Sequence, residues 1–487
     1  MWVFSTAGCR WLGAAGSLAV TVGGWAAGTL PVRGGWGLWQ PRAPGTETAG
    51  AVLAYLGLTL LLLAWWQYGR RLVAGADGRP LVTLGWWAGP LLLAPPLYSA
   101  DVYSYIAQGA MVLEGHDVYG AGPSVLAPGE LGHDAAASVG GHWTDTPAPY
   151  GPVFLVLAQA VVKLTGGSVL PAVLGFRLVA LAALALIVWA VRGLGGGPGA
   201  LWLAALNPLL LIHVVGGLHN DGLMIALVLC GLLLAVRGRW VAGSAVLGLA
   251  MMVKSPAAVA LLFVGVLVAR RRGVAAGLVL PGAVAGAVAA GATVLAGTGF
   301  GWLRTQSVAA TIHTALSVTS DLGLGLGLLV GDDPEPVKGA VQKLGLAVAV
   351  AVIGVLAWRA RKGRTDVVLG LGVSLLALVA LSPMVQPWYA LWGVCVVAVA
   401  SGGEAWSGRL GQFLAVLCAA LTYETAPSGH TPAYGFALAG LALALGLVWT
   451  RRERWGGPPA IPRPVPDAAP GPRARPSVAP PRSRTGR

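Results

Sequence analysis

Thirteen apolar runs divide the chain, at about residues 11–30, 49–66, 81–98, 169–191, 200–218, 221–236, 241–269, 274–297, 343–358, 366–385, 388–401, 409–425 and 432–450. Roughly 20 apolar residues cross a bilayer as a helix. Lipid offers no partner to a bare backbone N–H or C=O, so such runs specify helices, which satisfy those groups internally. A β-barrel would need alternating apolar and polar positions, and the runs do not alternate. Only 10% of the 487 residues are charged, where soluble chains carry about 25%. The expected fold is all-α, a polytopic transmembrane helical bundle of about 13 membrane segments forming one domain over residues 1–450. Arg10 precedes the first run as in a signal peptide, but no convincing cleavage site interrupts the run, so it reads as an uncleaved span.

Lys and Arg concentrate on the cytoplasmic side of membrane proteins. With a cytoplasmic N-terminus, 24 of the 32 basic residues fall on the inside, provided that 241–269 enters and returns on one side. Its central Lys254-Ser255-Pro256 break suits a hairpin of two half-spanning helices. The acids mirror this: 13 of 18 fall outside, and residues 99–149 carry six acids and no Lys or Arg. The net charge of +14 therefore belongs to an inner face set by topology and anionic lipid. A nucleic-acid partner has little support on that footing.

The tail 451–487, rich in Pro and Arg without an apolar pattern, reads as disordered and cytoplasmic. Cys9, Cys230, Cys395 and Cys418 show no CxxC spacing and read as packing residues. His116, His133 and His142 match no metal-binding pattern.

Two outer loops, about 99–168 and 299–343, exceed simple connections, and long loops in compact proteins are usually functional or disordered. The first reads as ordered and ends in an interfacial or re-entrant helix. Asp101 leads the candidate residues because it sits where a span emerges, with Tyr103 and Tyr105 close by. An acid beside an apolar helix end has a free-energy reason to be protonated or paired, so its presence points to a general base or substrate ligand. The structural alternatives are a solvated loop acid or a helix N-cap.

Asp117 in "EGHDVYG" reads as a second acid, an acceptor ligand or a turn residue. His219, Asn220 and Asp221 in "GGLHNDGLM" reach the same side as Asp101, to line a cavity or to cap the following helix. Lys254 is costly in lipid unless it meets an anion, such as a lipid phosphate, or pairs with a carboxylate. Arg304 and His313 lie where a surface helix would present them. Gln386, Trp388 and Tyr389 in "SPMVQPWYALW" stand at an outer hairpin, where an aromatic belt is the plain alternative.

The succession "DVYSYIAQGAMVLEGHDVY", "WTDTPAPYGP", "NPLLLIHVVGGLHNDGLM", "MMVKSPA" and "PMVQPWYALW" resembles the actinobacterial polyprenol-phosphate-mannose-dependent α-1,6-mannosyltransferases, over about residues 80–400. These are integral membrane glycosyltransferases of the GT-C class. The resemblance implies a polyprenyl-phosphate-mannose donor and a lipid-anchored α-1,6-mannan acceptor of the lipomannan type. It implies transfer on the outer face of the cytoplasmic membrane. It also places Asp101 where the class has its catalytic base and Lys254 near the donor phosphate. Tyr103 and Tyr150 join the acceptor candidates, and Asp117 and Asp221 both stay open as the helper acid. No cofactor is expected, and a divalent metal is optional because the leaving group is a monophosphate. The alternatives are a transferase for another lipid-linked sugar such as arabinofuranose, or a transporter of lipid-linked glycans, although no internal repeat of the transporter kind is evident.

Overall fold

The computed structural model describes residues 5–40, 42–76, 78–331, 333–400, 408–424, 432–452 and 486, and these contain helices and no strand. The tail beyond Arg452 otherwise lies outside the described residues. Four helices are long and apolar enough to cross a membrane: Pro44–Val73, Val169–Gly193, Val274–Ala296 and Glu335–Arg361. A fifth span results if Pro208–Gly216 and Asp221–Val236, bent by 114° at their junction, count as one.

Thirteen continuous spans are therefore not seen among the described residues, because Pro and Gly cut several apolar runs into shorter helices. The run 81–98 is helical only over Pro80–Leu91, where Pro95 and Pro96 prevent continuation. The run 200–218 breaks at Asn207-Pro208, with helices over Pro198–Leu203 and Pro208–Leu210 and a π-helical turn over Leu211–Gly216. Residues 241–269 form Trp240–Met251 and Ala258–Arg272, separated at the Lys254-Ser255-Pro256 break by a single 3₁₀ turn.

The second long loop is corrected more deeply. Within 299–343 the structure has a helix over Val318–Val330, and the next helix already begins at Glu335. Its glycines permit close helix packing. A Cβ on Gly323 would lie 2.6 Å from the Lys338 backbone, and one on Gly327 2.5 Å from that of Pro334. Small residues let helix backbones approach where lipid gives no hydrophobic drive to associate. The same device joins Thr6–Ala27 to Pro44–Val73, through Gly16 against Gly57 and Gly23 against Gly50. Deeper in the bundle, Trp65 and Trp202 stack at 4.5 Å, and each indole N–H donates to the other residue's carbonyl, at 2.9 and 2.8 Å.

Every residue of the first long loop is described. A helix starts at Asp101 and runs to Leu113, and the loop closes with the 14-residue helix Pro152–Thr165, which stops at Gly166 in the left-handed conformation. These two helices pack on one another and on Val169–Gly193, forming the floor beneath the loop.

Candidate active site

Asp101 and His219 are brought together by two strained connections. Tyr98 (φ 61°) and Leu218 (φ 64°) are both non-glycine residues in the left-handed region. Such residues cost on the order of 1–3 kcal/mol each and persist only where the surroundings fix them. Here the connections lock each other: the Leu97 N–H donates to the Gly216 carbonyl at 3.2 Å. Asp101 then opens its helix and His219 lies one residue before the turn into Asp221–Val236.

The His219 Nδ1–H donates to Asp101 Oδ2 at 3.1 Å, and the Tyr105 hydroxyl donates to the same oxygen at 3.4 Å. Tyr105 is held in turn by the Asn220 N–H at 3.3 Å. The Asp101 side chain is 23% exposed while that of His219 is wholly buried, so the carboxylate is the reachable partner. Burial pushes the Asp101 carboxyl up. The His219 hydrogen bond, the His219 charge and the Lys254 charge outweigh it, and the net direction is down. His219 lies flat against Trp388, with ring centroids 3.7 Å apart.

Asp221, at the N-terminus of its own helix, receives Lys254 Nζ on both oxygens at 2.9 Å and the Trp392 indole N–H at 2.7 Å. The Asp221 side chain is 1% exposed and that of Lys254 16% exposed. Lys254 also stands 4.5 Å from the centre of the Tyr389 ring, which stacks on Trp392 at 4.4 Å. Asp221 thus caps no helix and offers no free oxygen, and Lys254 is the carboxylate-paired lysine. Neither is an isolated charge.

These groups wall a cavity of about 470 Å³. Asp101, Tyr150, Lys254, Trp388, Tyr389 and Gln386 share it with Ser255, Thr305, Gln306 and Ser382. Val259, Leu346, Leu378 and Met384 make an apolar wall, so one space has a polar, aromatic side and a hydrocarbon side.

Not every expected residue arrives. Tyr103 points to the opposite side of its helix from Asp101 and Tyr105, which are four residues apart, and donates to the Thr29 carbonyl at 2.6 Å. Asp117 is exposed in a turn, where Oδ1 accepts the Tyr119 N–H at 3.0 Å, and Arg304 faces that separate region. His313 is exposed and pairs with Asp321 at 2.7 Å. Asn220 contributes its backbone, and its buried side-chain amide meets no hydrogen-bond partner among the described residues. Among the cavity residues not expected as site residues are two tryptophans, Trp392 and Trp143. Trp392 follows Trp388 by four residues and Tyr389 by three, a helical spacing that signals a shared face. Trp143, from the loop, carries no comparable signal.

A reachable carboxylate among aromatic faces, in a concave space within a bundle that has membrane-length helices, is the form of a ligand or active site in a membrane protein. The model described as "Alpha-(1->6)-mannopyranosyltransferase, N-terminal domain" matches residues 10–270, and that of the "MptB C-terminal domain" matches residues 313–451. The chain belongs to this alpha-(1->6)-mannopyranosyltransferase family of membrane glycosyltransferases. It is 34% identical to a probable alpha-(1->6)-mannopyranosyltransferase of Mycolicibacterium smegmatis, over 82% of this chain and 79% of that one. It is 35% identical to alpha-(1->6)-mannopyranosyltransferase A of Mycobacterium tuberculosis, over 80% and 79% respectively. With alpha-(1->6)-mannopyranosyltransferase B of Corynebacterium glutamicum it shares 32% over 88% and 77%. The site draws on both matched regions: Asp101 and Lys254, with His219 and Asp221 behind them, from the first, and Trp388 and Tyr389 from the second.

Proposed function

We propose that the chain transfers mannose from a polyprenyl-phosphate-mannose donor to an α-1,6-mannan acceptor, with Asp101 as general base, by a GT-C-type inverting displacement. The observation that carries this is the Asp101 carboxylate, ionised by its surroundings and open to the cavity while its partner His219 is sealed behind it. The acceptor's primary hydroxyl attacks the anomeric carbon of mannose as the bond to the phosphate oxygen breaks. Its proton passes to Asp101, and the electron pair leaves with the polyprenyl phosphate. A β-linked donor gives an α product in one such step.

Lys254 lines the cavity with its charge held by Asp221 and Tyr389, and that charge, together with Ser255 and Ser382 on the same wall, stabilises the departing phosphate. The wall of Val259, Leu346, Leu378 and Met384 fits the first isoprene units of the donor. Trp388 and Tyr389 supply faces for the sugar ring. The six acids without a base over residues 99–149 support an outer-face site with both termini cytoplasmic.

The test supplies membranes containing the full chain with radiolabelled polyprenyl-phosphate mannose and a short α-1,6-mannoside. Wild type incorporates label, and Asp101→Asn loses about 10²–10⁴-fold, the usual contribution of a general base. Equal incorporation by both removes Asp101 from that role. Incorporation from an arabinofuranose donor alone transfers the reading to a different sugar.

A further inference from the structure

A second cavity, of about 520 Å³, opens between the Asp117 turn and the segment that follows Val274–Ala296. It adjoins the first across one thin partition. Arg304 lines the second cavity, while Thr305, Gln306 and Ser307, next along the same short helical stretch, line the first. Tyr119, which lies against Gly301, completes the partition by donating its hydroxyl proton to the Tyr150 carbonyl at 3.1 Å.

The chemistry of this space differs from that of the first. Asp117 Oδ2 and the Arg304 guanidinium have no hydrogen-bond partner among the described residues, although Asp117 Oδ1 is engaged by Tyr119. His116 is already matched by Glu130, at 3.1 and 3.2 Å to its two oxygens. Arg304 is thus offset by Asp117 within the same cavity, and Glu130 stands behind His116, so no excess of positive charge invites an anion. Gly297 and Gly299, at φ 67° and 70°, have open space where a Cβ would stand, so a ligand can approach the backbone there closely, although the Gly297 N–H already donates to the Val294 carbonyl at 3.2 Å. A free carboxylate oxygen and a free guanidinium fork, beside a backbone that no side chain covers at Gly297 and Gly299, form an array that meets vicinal hydroxyls from both the donor and the acceptor side.

We infer that the second cavity is an acceptor subsite, holding mannosyl units of the growing chain behind the unit whose hydroxyl reaches Asp101. This rests on the function proposed above. It also gives Asp117 and Arg304 a shared role that neither helper acid nor donor-phosphate ligand describes.

The purified full chain is assayed with synthetic α-1,6-mannosides of two and five units, as wild type, Asp117→Asn and Arg304→Ala. The readout is the ratio of kcat/KM for the five-unit over the two-unit acceptor. The ratio falls about tenfold in each variant, through KM for the longer acceptor, which corresponds to about 1.4 kcal/mol of lost binding. Direct binding of a fluorescent five-unit mannoside, measured without donor, weakens in parallel. A ratio and a binding constant equal to wild type in both variants overturn the inference. So does an Arg304→Ala variant that loses retention of phosphatidylglycerol vesicles while binding the mannoside normally, which would assign the cavity to an anionic headgroup. Failure of wild type to transfer mannose to either acceptor, with mannoside binding intact, overturns the proposed function and leaves the subsite standing.

Discussion

Asp101 combines exposure to the cavity with an environment that keeps it ionised. Its folded-state value lies below the ordinary carboxylate value of about 3.9. Ionised Asp101 therefore contributes stability above the ordinary range, and the contribution is lost as pH falls through the folded value. The same displacement leaves the base deprotonated at neutral pH. Replacing His219 with Asn removes its charge and its Nδ1 donor while burial remains, so the acidic limb of kcat/KM shifts to higher pH. A pH–rate profile superimposable on wild type would show that His219 does not act through Asp101. Lys254 and Asp221 make a different case, because their pair is almost sealed. Lys254→Met strands a buried carboxylate and costs about 3–5 kcal/mol of stability, whereas the double variant Lys254→Met, Asp221→Leu recovers most of it. Denaturant titration of the three proteins in detergent measures the difference, and a double variant no more stable than the single one would contradict the pairing.

Between residues and bundle, glycine decides how closely helices approach. Gly323 and Gly327 bring Val318–Val330 against the start of Glu335–Arg361, the helix that supplies Leu346 to the apolar wall. Gly323→Leu inserts a side chain where a Cβ already meets the Lys338 backbone. It lowers stability by about 1–3 kcal/mol, the usual cost of overpacking. Gly325, with open space beside it, is the matched control, and Gly325→Leu is tolerated. Equal thermal unfolding midpoints for the two would mean that the close approach has no energetic weight. The connections through Tyr98 and Leu218 are also elements in this sense. Their left-handed residues turn the chain so that two helix N-termini deliver Asp101 and Asp221 to one place. Acids are favoured at helix N-termini by the partial positive charge there, which adds to the local preference for ionised carboxylates.

Residues 99–149 carry six acids and no Lys or Arg, and the proposed orientation puts them outside. Ala137 is an exposed residue of the first loop and Lys362 is exposed beyond the helix Glu335–Arg361, while the native cysteines are buried. An impermeant maleimide labels Ala137→Cys in intact cells and labels Lys362→Cys only after permeabilisation. The reverse pattern would invert the topology. Much of this molecule was legible beforehand: helices, a membrane setting, the break at Lys254 and the residues of four motifs that meet at the cavity all follow from local pattern. Apolar length dictates a helix, and Pro or Gly dictates where it stops, because both act within a few residues. Which face a side chain takes also follows once the helix phase is known, as the parting of Tyr103 from Asp101 and Tyr105 illustrates. The pairings were not legible. His219 reaches Asp101 across 118 positions, and Trp392 reaches Asp221 across 171. Lys254 is claimed by Asp221, and Asp117 goes to a different cavity. Sequence alone determined which polar groups flank the apolar runs. Only the tertiary structure decided which carboxylate stays free, because that depends on which charges and donors folding brings within about 3 Å of one another.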